Sequence, residues 1–197
     1  MSDGETLKFY SDGAADYAAF VGDGTTDPRL TAFIKRLSPG AAVLDFGCGH
    51  GWAAAVLTGL GYEVTATDGS AGFAAEAARR YGLTVRVETF DELSAEDAFD
   101  GLWVSFSLLH DSREALPDHL SRLRRAARPG ATLYLGLKEG EGRHRDHLGR
   151  LYTYFSEDEL RARLAEAGWA DITCERTSEP GMAGKNETAL HLFATAG

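Results

Sequence analysis

The stretch Val43-Leu44-Asp45-Phe46-Gly47-Cys48-Gly49-His50-Gly51 constrains the fold more than any other part of the chain. A short apolar run from Ala42 to Phe46 gives way to three glycines at alternate positions, and the helix-forming Trp52-Ala53-Ala54-Ala55-Val56-Leu57 follows at once. Strand, glycine turn and helix in this order let backbone N–H groups approach a ligand, and the helix start adds a partial positive charge. The dinucleotide fingerprint G-x-G-x-x-G needs its third glycine at position 52, where this chain has Trp52. Asp45, two residues before the first glycine, would repel a pyrophosphate and suits an ammonium or sulfonium ligand. The turn therefore reads as a loop for a cationic cofactor, with tight strand-to-helix packing as the plainer alternative.

Around this unit helices and strands alternate. Asp27 reads as the N-cap and Pro28 as the first position of a helix with Leu30, Phe33, Ile34 and Leu37 on one face, ended by Gly40. Further strands are predicted at 62–67, 84–87, 99–105 and 132–137. The helix after the second strand carries Phe73, Ala77 and Tyr81 on one stripe, and another at 117–127 is stopped by Pro129-Gly130. The run 99–105 is almost continuously apolar, as in a central strand buried on both faces. Residues 139–147 are polar and glycine-containing and read as a long loop. Ser156-Glu157-Asp158-Glu159 is a capping box opening a helix that Gly168 ends. Strands at 169–174 and 188–195, joined by the turn-rich Ser178-Glu179-Pro180-Gly181 region, complete the count. The expected fold is α/β: a doubly wound, mainly parallel seven-stranded sheet closed by a C-terminal antiparallel hairpin, one domain over 27–197 behind an N-terminal helical segment at 1–26.

Composition narrows the class. A length of 197 residues favours one domain, and 44% hydrophobic with 25% charged residues is that of a folding chain. Asp and Glu number 30 against 20 Lys and Arg, a net charge of -10 that opposes gripping nucleic acid through phosphates. The two cysteines, Cys48 and Cys174, make no disulfide framework and fit a reducing cytoplasm. Met1-Ser2-Asp3-Gly4-Glu5 lacks a basic then apolar leader, and no apolar run is long enough to span a bilayer. The expectation is a soluble cytoplasmic protein with no membrane or nucleic-acid partner.

Asp68 ends the second strand, where a carboxylate can accept both hydroxyls of a ribose; as an alternative it could cap the following helix through Gly69-Ser70. With Asp68 in place, the stretch from Val43 to Gly51 resembles motif I of the class I S-adenosylmethionine-dependent methyltransferases. The resemblance runs on through Phe99-Asp100-Gly101-Leu102-Trp103, Leu108-Leu109-His110 and Arg128-Pro129-Gly130-Ala131 into the hairpin after Ala167-Gly168-Trp169. Ser107-Leu108-Leu109-His110 followed by Lys138-Glu139-Gly140-Glu141-Gly142 is similar to small bacterial enzymes grouped with tellurite-resistance and other small-molecule methyltransferases.

The resemblance implies S-adenosylmethionine as cofactor, with S-adenosylhomocysteine as product. It implies a binding set of Asp45, Gly47, Cys48, Gly49 and Trp52 at the turn, Asp68, Gly69 and Ser70 after the second strand, and Ser105 at the end of the fourth. The segment after the third strand should flank the adenine, which points to Thr89, Phe90 and Glu88; Phe90 also reads as an ordinary core aromatic. Tyr10 and Tyr17, in the segment before the core, would close over the cofactor or pack as a surface helix.

In such a reaction the sulfonium supplies the leaving group, so placement of the acceptor is the main task. His110, just past the fourth strand at the ligand-binding edge of the sheet, is the candidate base or orienting group, with a structural His as the alternative. Lys138, Arg143, Arg145 and Arg150 lie close in sequence, where a small anionic acceptor could be held. His144, Asp146 and His147 lack a fourth ligand, and no metal is expected. The leading function is methyl transfer to a small molecule; the alternative is a non-catalytic S-adenosylmethionine-binding module acting through a protein partner. A nicotinamide-dependent oxidoreductase is disfavoured by Trp52 and Asp45.

Overall fold

The computed structural model describes residues 3–21, 27–180 and 186–197. Of the expected N-terminal segment 1–26, the described residues form two helices, α1 (Gly4–Asp12) and α2 (Ala14–Val21). Asp27 caps α3 (Pro28–Ile34), its carboxylate accepting the N–H of Arg29 at 2.7 Å, with Pro28 in the first turn where its missing N–H costs nothing. There follow β1 (Ala42–Phe46), α4 (Trp52–Gly59), β2 (Glu63–Asp68), α5 (Ala71–Tyr81) and β3 (Val85–Val87). A 3-10 turn, Phe90–Glu92, leads to β4 (Phe99–Ser105), and a second, Leu108–His110, to α6 (Leu116–Ala126) and β5 (Ala127–Lys138). The rest is β6 (Arg143–Arg145), β7 (Leu151–Thr153), α7 (Glu157–Glu166), β8 (Trp169–Pro180) and β9 (Asn186–Ala196).

Seven strands form one sheet in the order β3-β2-β1-β4-β5-β9-β8; the first five are parallel, β9 runs antiparallel to β5, and β8 antiparallel to β9. This is the doubly wound sheet with a closing hairpin that the sequence predicts. Strand parity explains why both faces are covered. Leu44, Leu102, Leu133 and Leu135 pack on one side with Leu116, Leu120 and Leu123 of α6. Val43, Trp103 and Tyr134, one residue out of phase, pack on the other with Leu30, Phe33 and Leu57. Trp103 and Tyr134 stack with ring centroids 4.0 Å apart, fixing β4 against β5.

α3 stops at Ile34, short of Leu37 and of the Gly40 end expected from the sequence, and four further sequence expectations need correction. First, α6 ends at Ala126, before the expected 127, and Pro129-Gly130 lies inside β5 instead of beyond a helix end. The cause is the start of β4: Asp97 and Ala98 donate backbone N–H groups to the Arg125 and Ala126 carbonyls, and Ala127 pairs with Phe99 before a bulge absorbs the residues up to Thr132. Second, the loop at 139–147 contains β6, paired with β7 in a separate hairpin whose Arg143, His144 and Arg145 are all exposed. Third, Ser156 caps α7 as expected, but Glu159 turns its carboxylate to Arg113 and Arg163 instead of closing a reciprocal box. Fourth, β8 and β9 extend well past the expected ends, so Ser178 to Pro180 are strand, while Gly181 falls outside the described residues.

Asp45 shows what the parity of β1 dictates. It lies two residues after Val43, faces the α4 side, is buried, and accepts the Ala54 N–H at 3.1 Å. Burial pushes its carboxyl up from 3.8 to about 8, with the negative charge of Asp68 pushing the same way. Below about pH 4 the group is protonated whether the chain is folded or not; between there and pH 8 only the unfolded chain releases the proton, so stability falls as pH rises across that window. Asp45→Asn keeps an oxygen for Ala54 and cannot ionise. It should flatten the fall and raise the Tm of the ligand-free protein by a few degrees at pH 8, with little change at pH 5, in a thermal-melt series across that range.

Candidate functional site

The carboxyl ends of β1, β2 and β4 converge on a cavity of about 810 Å3, counting its open mouth, roofed by α1 and α2. Its floor is the turn after β1. Gly47 and Cys48 both donate N–H groups to the Thr67 carbonyl at 2.9 Å, so the turn is held down on the end of β2. At Gly47 the backbone is left-handed, with φ 74°, and a Cβ there would stand 2.8 Å from the Ser107 hydroxyl, which itself donates to the Phe46 carbonyl. Only glycine satisfies both demands.

Asp68 is the polar centre of the wall. One carboxylate oxygen accepts the Gly49 N–H and the other the Ser70 N–H, each at 2.8 Å. Burial raises its pKa, and these two bonds pull it back. The helix-cap alternative for Asp68 is excluded, because Ser70 caps α5 by accepting the Phe73 N–H. Trp52, Gly69 and Ser70 complete this part of the lining, Thr89 and Phe90 continue it from beyond the end of β3, where the Glu88 N–H donates to the Asp68 carbonyl, and Ser105 lies on the β4 edge. Phe90 is shared with the core, its ring 5.1 Å from that of Phe46.

Tyr10 and Tyr17 reach the cavity from α1 and α2, both packed on Phe73 of α5. His110 is also in the lining. Its Nδ1 lies 2.8 Å from the Leu151 carbonyl, which can only accept, so Nδ1 carries the proton and Nε2 accepts the Tyr10 hydroxyl at 3.0 Å. Burial pushes the His110 pKa down to about 4, and the ring is neutral at physiological pH.

Asp45 is the one residue of the expected binding set that does not reach this wall; it stands behind the turn on the α4 side. Of the four basic residues expected to gather round an anionic acceptor, Lys138 and Arg150 meet over the Tyr152 ring, 3.7 and 5.3 Å from its centroid, while Arg143 and Arg145 lie on exposed β6; none lines the cavity. Lys138 pairs with Glu187, Arg145 with Asp3 and Arg150 with Asp146, while Arg143 is exposed on β6. His144, Asp146 and His147 do not come together: His144 bonds the Glu141 carbonyl and Asp146 is taken by Arg150.

The sequence reading missed Thr6, Leu7, His50, Phe73, Phe106 and Ser107 as lining residues. Thr6 and Leu7 sit one helical turn before Tyr10, so the same α1 face that carries Tyr10 could have flagged them. Phe106 and Ser107 immediately follow Ser105, and Phe106 holds φ 53°, a conformation unusual outside glycine that no residue pattern announces.

A family described as a methyltransferase domain matches residues 43–130. Ubiquinone biosynthesis O-methyltransferase of Xanthomonas campestris is 36% identical over 119 residues, which cover 54% of this chain and 47% of that protein. The chain thus spans about half the length of the curated relatives it matches. Among solved structures, Burkholderia thailandensis 1,6-didemethyltoxoflavin-N1-methyltransferase, bound to 1,6-didemethyltoxoflavin and S-adenosylhomocysteine, superposes with a TM-score of 0.78 at 26% identity, covering 98% of this chain and 87% of that one. Haemonchus contortus phosphoethanolamine N-methyltransferase 2 with S-adenosyl-L-methionine shares the fold, with a TM-score of 0.75 at 17% identity, 94% of this chain and 57% of that one. No helix among the described residues is long and apolar enough to cross a membrane. The domain match holds the glycine turn, the end of β2 and the β4 edge that shape the cavity, so the part of the chain that builds the site is the part similar to a methyltransferase domain.

Proposed function

We propose that this chain transfers a methyl group from S-adenosylmethionine to a small-molecule acceptor. The observation that carries the reading is the charge of the cavity wall: among the described lining residues Asp68 and Glu88 are carboxylates and none is Lys or Arg. A wall of this kind repels a pyrophosphate and accepts a cationic ligand with hydroxyls, so the residues fit S-adenosylmethionine and not a nicotinamide dinucleotide. The 1,6-didemethyltoxoflavin bound to the Burkholderia enzyme, and the ubiquinone biosynthesis for which the Xanthomonas enzyme is named, support a small molecule over a polymer. The net charge of -10 and two unpaired cysteines support a cytoplasmic setting without a nucleic-acid partner.

Bound there, the cofactor supplies a methyl group on a sulfonium that is already a good leaving group. The protein's part is placement. Asp68 accepts from the ribose hydroxyls with the lone pairs that Gly49 and Ser70 leave, the backbone of Gly47, Cys48 and Gly49 borders the amino-acid part with Trp52, and Thr89, Phe90 and Glu88 flank the base. Gly69, Ser70 and Ser105 shape the space between. Asp45 acts from behind, holding the first turn of α4 against β1. Tyr10 and Tyr17, on the segment at 1–26, close over the bound ligand as a lid.

His110 orients the acceptor. Its bare Nε2 is a hydrogen-bond acceptor within the cavity, and an acceptor O–H or N–H can take the place of the Tyr10 hydroxyl. A ring with a pKa of about 4 is a weak base, so positioning outweighs proton removal.

Asp68→Ala should weaken S-adenosylmethionine binding by about 10- to 150-fold, the range for hydrogen bonds to a charged acceptor, in calorimetric titration. His110→Ala should leave that affinity nearly intact and lower kcat by about 10- to 100-fold, below the full effect of a general base. The pH profile of kcat in the parent should show no histidine limb between about pH 5 and 8, because the ring stays neutral there.

Gly72 tests the lid. A Cβ on it would stand 2.7 Å from the Ser11 Cα, so Gly72→Ala must push α1 away from α5. We expect it to weaken cofactor binding at least about tenfold with a small change in Tm. Release of S-adenosylhomocysteine across a panel of oxygen, nitrogen and sulfur acceptors tests the proposal as a whole; cofactor binding without turnover on any of them would favour a non-catalytic module.

A further inference from the structure

We propose that His119, Asp91 and Asp118 form a divalent-cation site that ties the 3-10 turn Phe90–Glu92 to α6. His119 is 1% exposed, and its Nε2 lies 2.9 Å from Asp111 Oδ2. A carboxylate accepts, so Nε2 carries a proton and Nδ1 is the nitrogen left to offer a lone pair to a metal. That Nδ1 is buried and has no hydrogen-bond partner among the described protein groups. It faces Asp91 Oδ1 at 3.9 Å, too far for a hydrogen bond. The ligand atoms of His119, Asp91 and Asp118 all lie within 4.8 Å of one another. An ion bound at about 2.0–2.2 Å from each would draw them closer by roughly an ångström, which the exposed Asp91 and Asp118 side chains can supply.

The chemistry is that of a metal ligand set. A buried histidine whose far nitrogen donates to a carboxylate is fixed in ring orientation with its near nitrogen aimed in a set direction, an arrangement typical of metal-bound imidazoles. One imidazole and two carboxylates suit a borderline dication such as Zn2+ better than a hard ion that prefers oxygen alone. Arg122 donates Nε to Asp118 Oδ2 at 2.7 Å, which leaves Oδ1 for the ion and partly offsets the gathered negative charge. None of the three ligands lines the cavity, so the site is separate from it. Phe90 joins the two regions, lining the cavity while its ring packs edge-on to His119 with centroids 5.5 Å apart.

The test is calorimetric titration of the full, chelator-treated chain with Zn2+, with circular dichroism as a check on folding. The parent should take up one tightly bound equivalent and gain in Tm. Asp91→Asn and Asp118→Asn, at exposed positions that should not disturb folding, should each weaken binding by about tenfold or more, and His119→Gln should abolish it. The double variant His144→Ala/His147→Ala, which removes the two exposed-loop histidines, should bind as the parent does. Absence of saturable binding would overturn the proposal. So would Zn2+ affinity that survives Asp91→Asn and Asp118→Asn together, or that disappears with His144 and His147.

Discussion

The carboxylate of Asp68 is the tie on which the site depends. It joins the end of β2 to the turn after β1 through Gly49 and to the start of α5 through Ser70. The neighbouring Thr67 carbonyl takes the N–H groups of Gly47 and Cys48, so three successive amides of the turn are committed to the end of one strand. The shape of the cavity floor therefore follows from the parallel pairing of β1 with β2, in which Phe46 stands beside Thr67. From Ser70 the same tie extends upward: capping starts α5, α5 presents Phe73, and Phe73 carries the two tyrosines of the roof. Burying a carboxylate is costly, and the two amide bonds are what make it tolerable.

Much of this was legible in the sequence wherever a residue pattern reflects burial. β1 and β4 were readable to their ends because both of their faces are covered, and a strand covered on both faces is apolar throughout. β6 was invisible for the opposite reason. Arg143, His144 and Arg145 are all exposed, so no alternation marks the strand, and its partner β7 lies beyond a turn at Asp146 to Gly149 that only the fold brings together. The end of α6 was misplaced because Pro129-Gly130 is a strong local signal, while the pairing of Ala127 with Phe99 is a distant one. Distance in sequence decided that contest.

The site divides along the same line. Residues in turns attached to strand ends, from Gly47 to Trp52 and from Asp68 to Ser70, were placed by local order alone. Asp45 was legible too, had the period of two been followed: with Val43 facing α3 and α4, Asp45 must face the same side. The basic residues from Lys138 to Arg150 divide in another way, for Lys138 and Arg150 meet over the Tyr152 ring while Arg143 and Arg145 stay on exposed β6. Each of Lys138, Arg145 and Arg150 finds its own carboxylate, two of them on segments far away in the chain.

The attachments of α1 differ in kind from those of the core. The core is held by apolar contact, whereas α1 adds to the packing of Tyr10 on Phe73 a set of polar fastenings: Tyr10 to His110, Ser11 to Ser70, Thr6 to the Leu151 amide, and Asp3 to Arg145 at the rim. A surface ion pair fades as dissolved ions accumulate around it, while buried apolar area does not. Ionic strength thus acts on the Asp3–Arg145 fastening at the rim and spares both the sheet and the hydroxyl bonds deeper in the roof, so salt loosens the outer edge of the chamber before anything else.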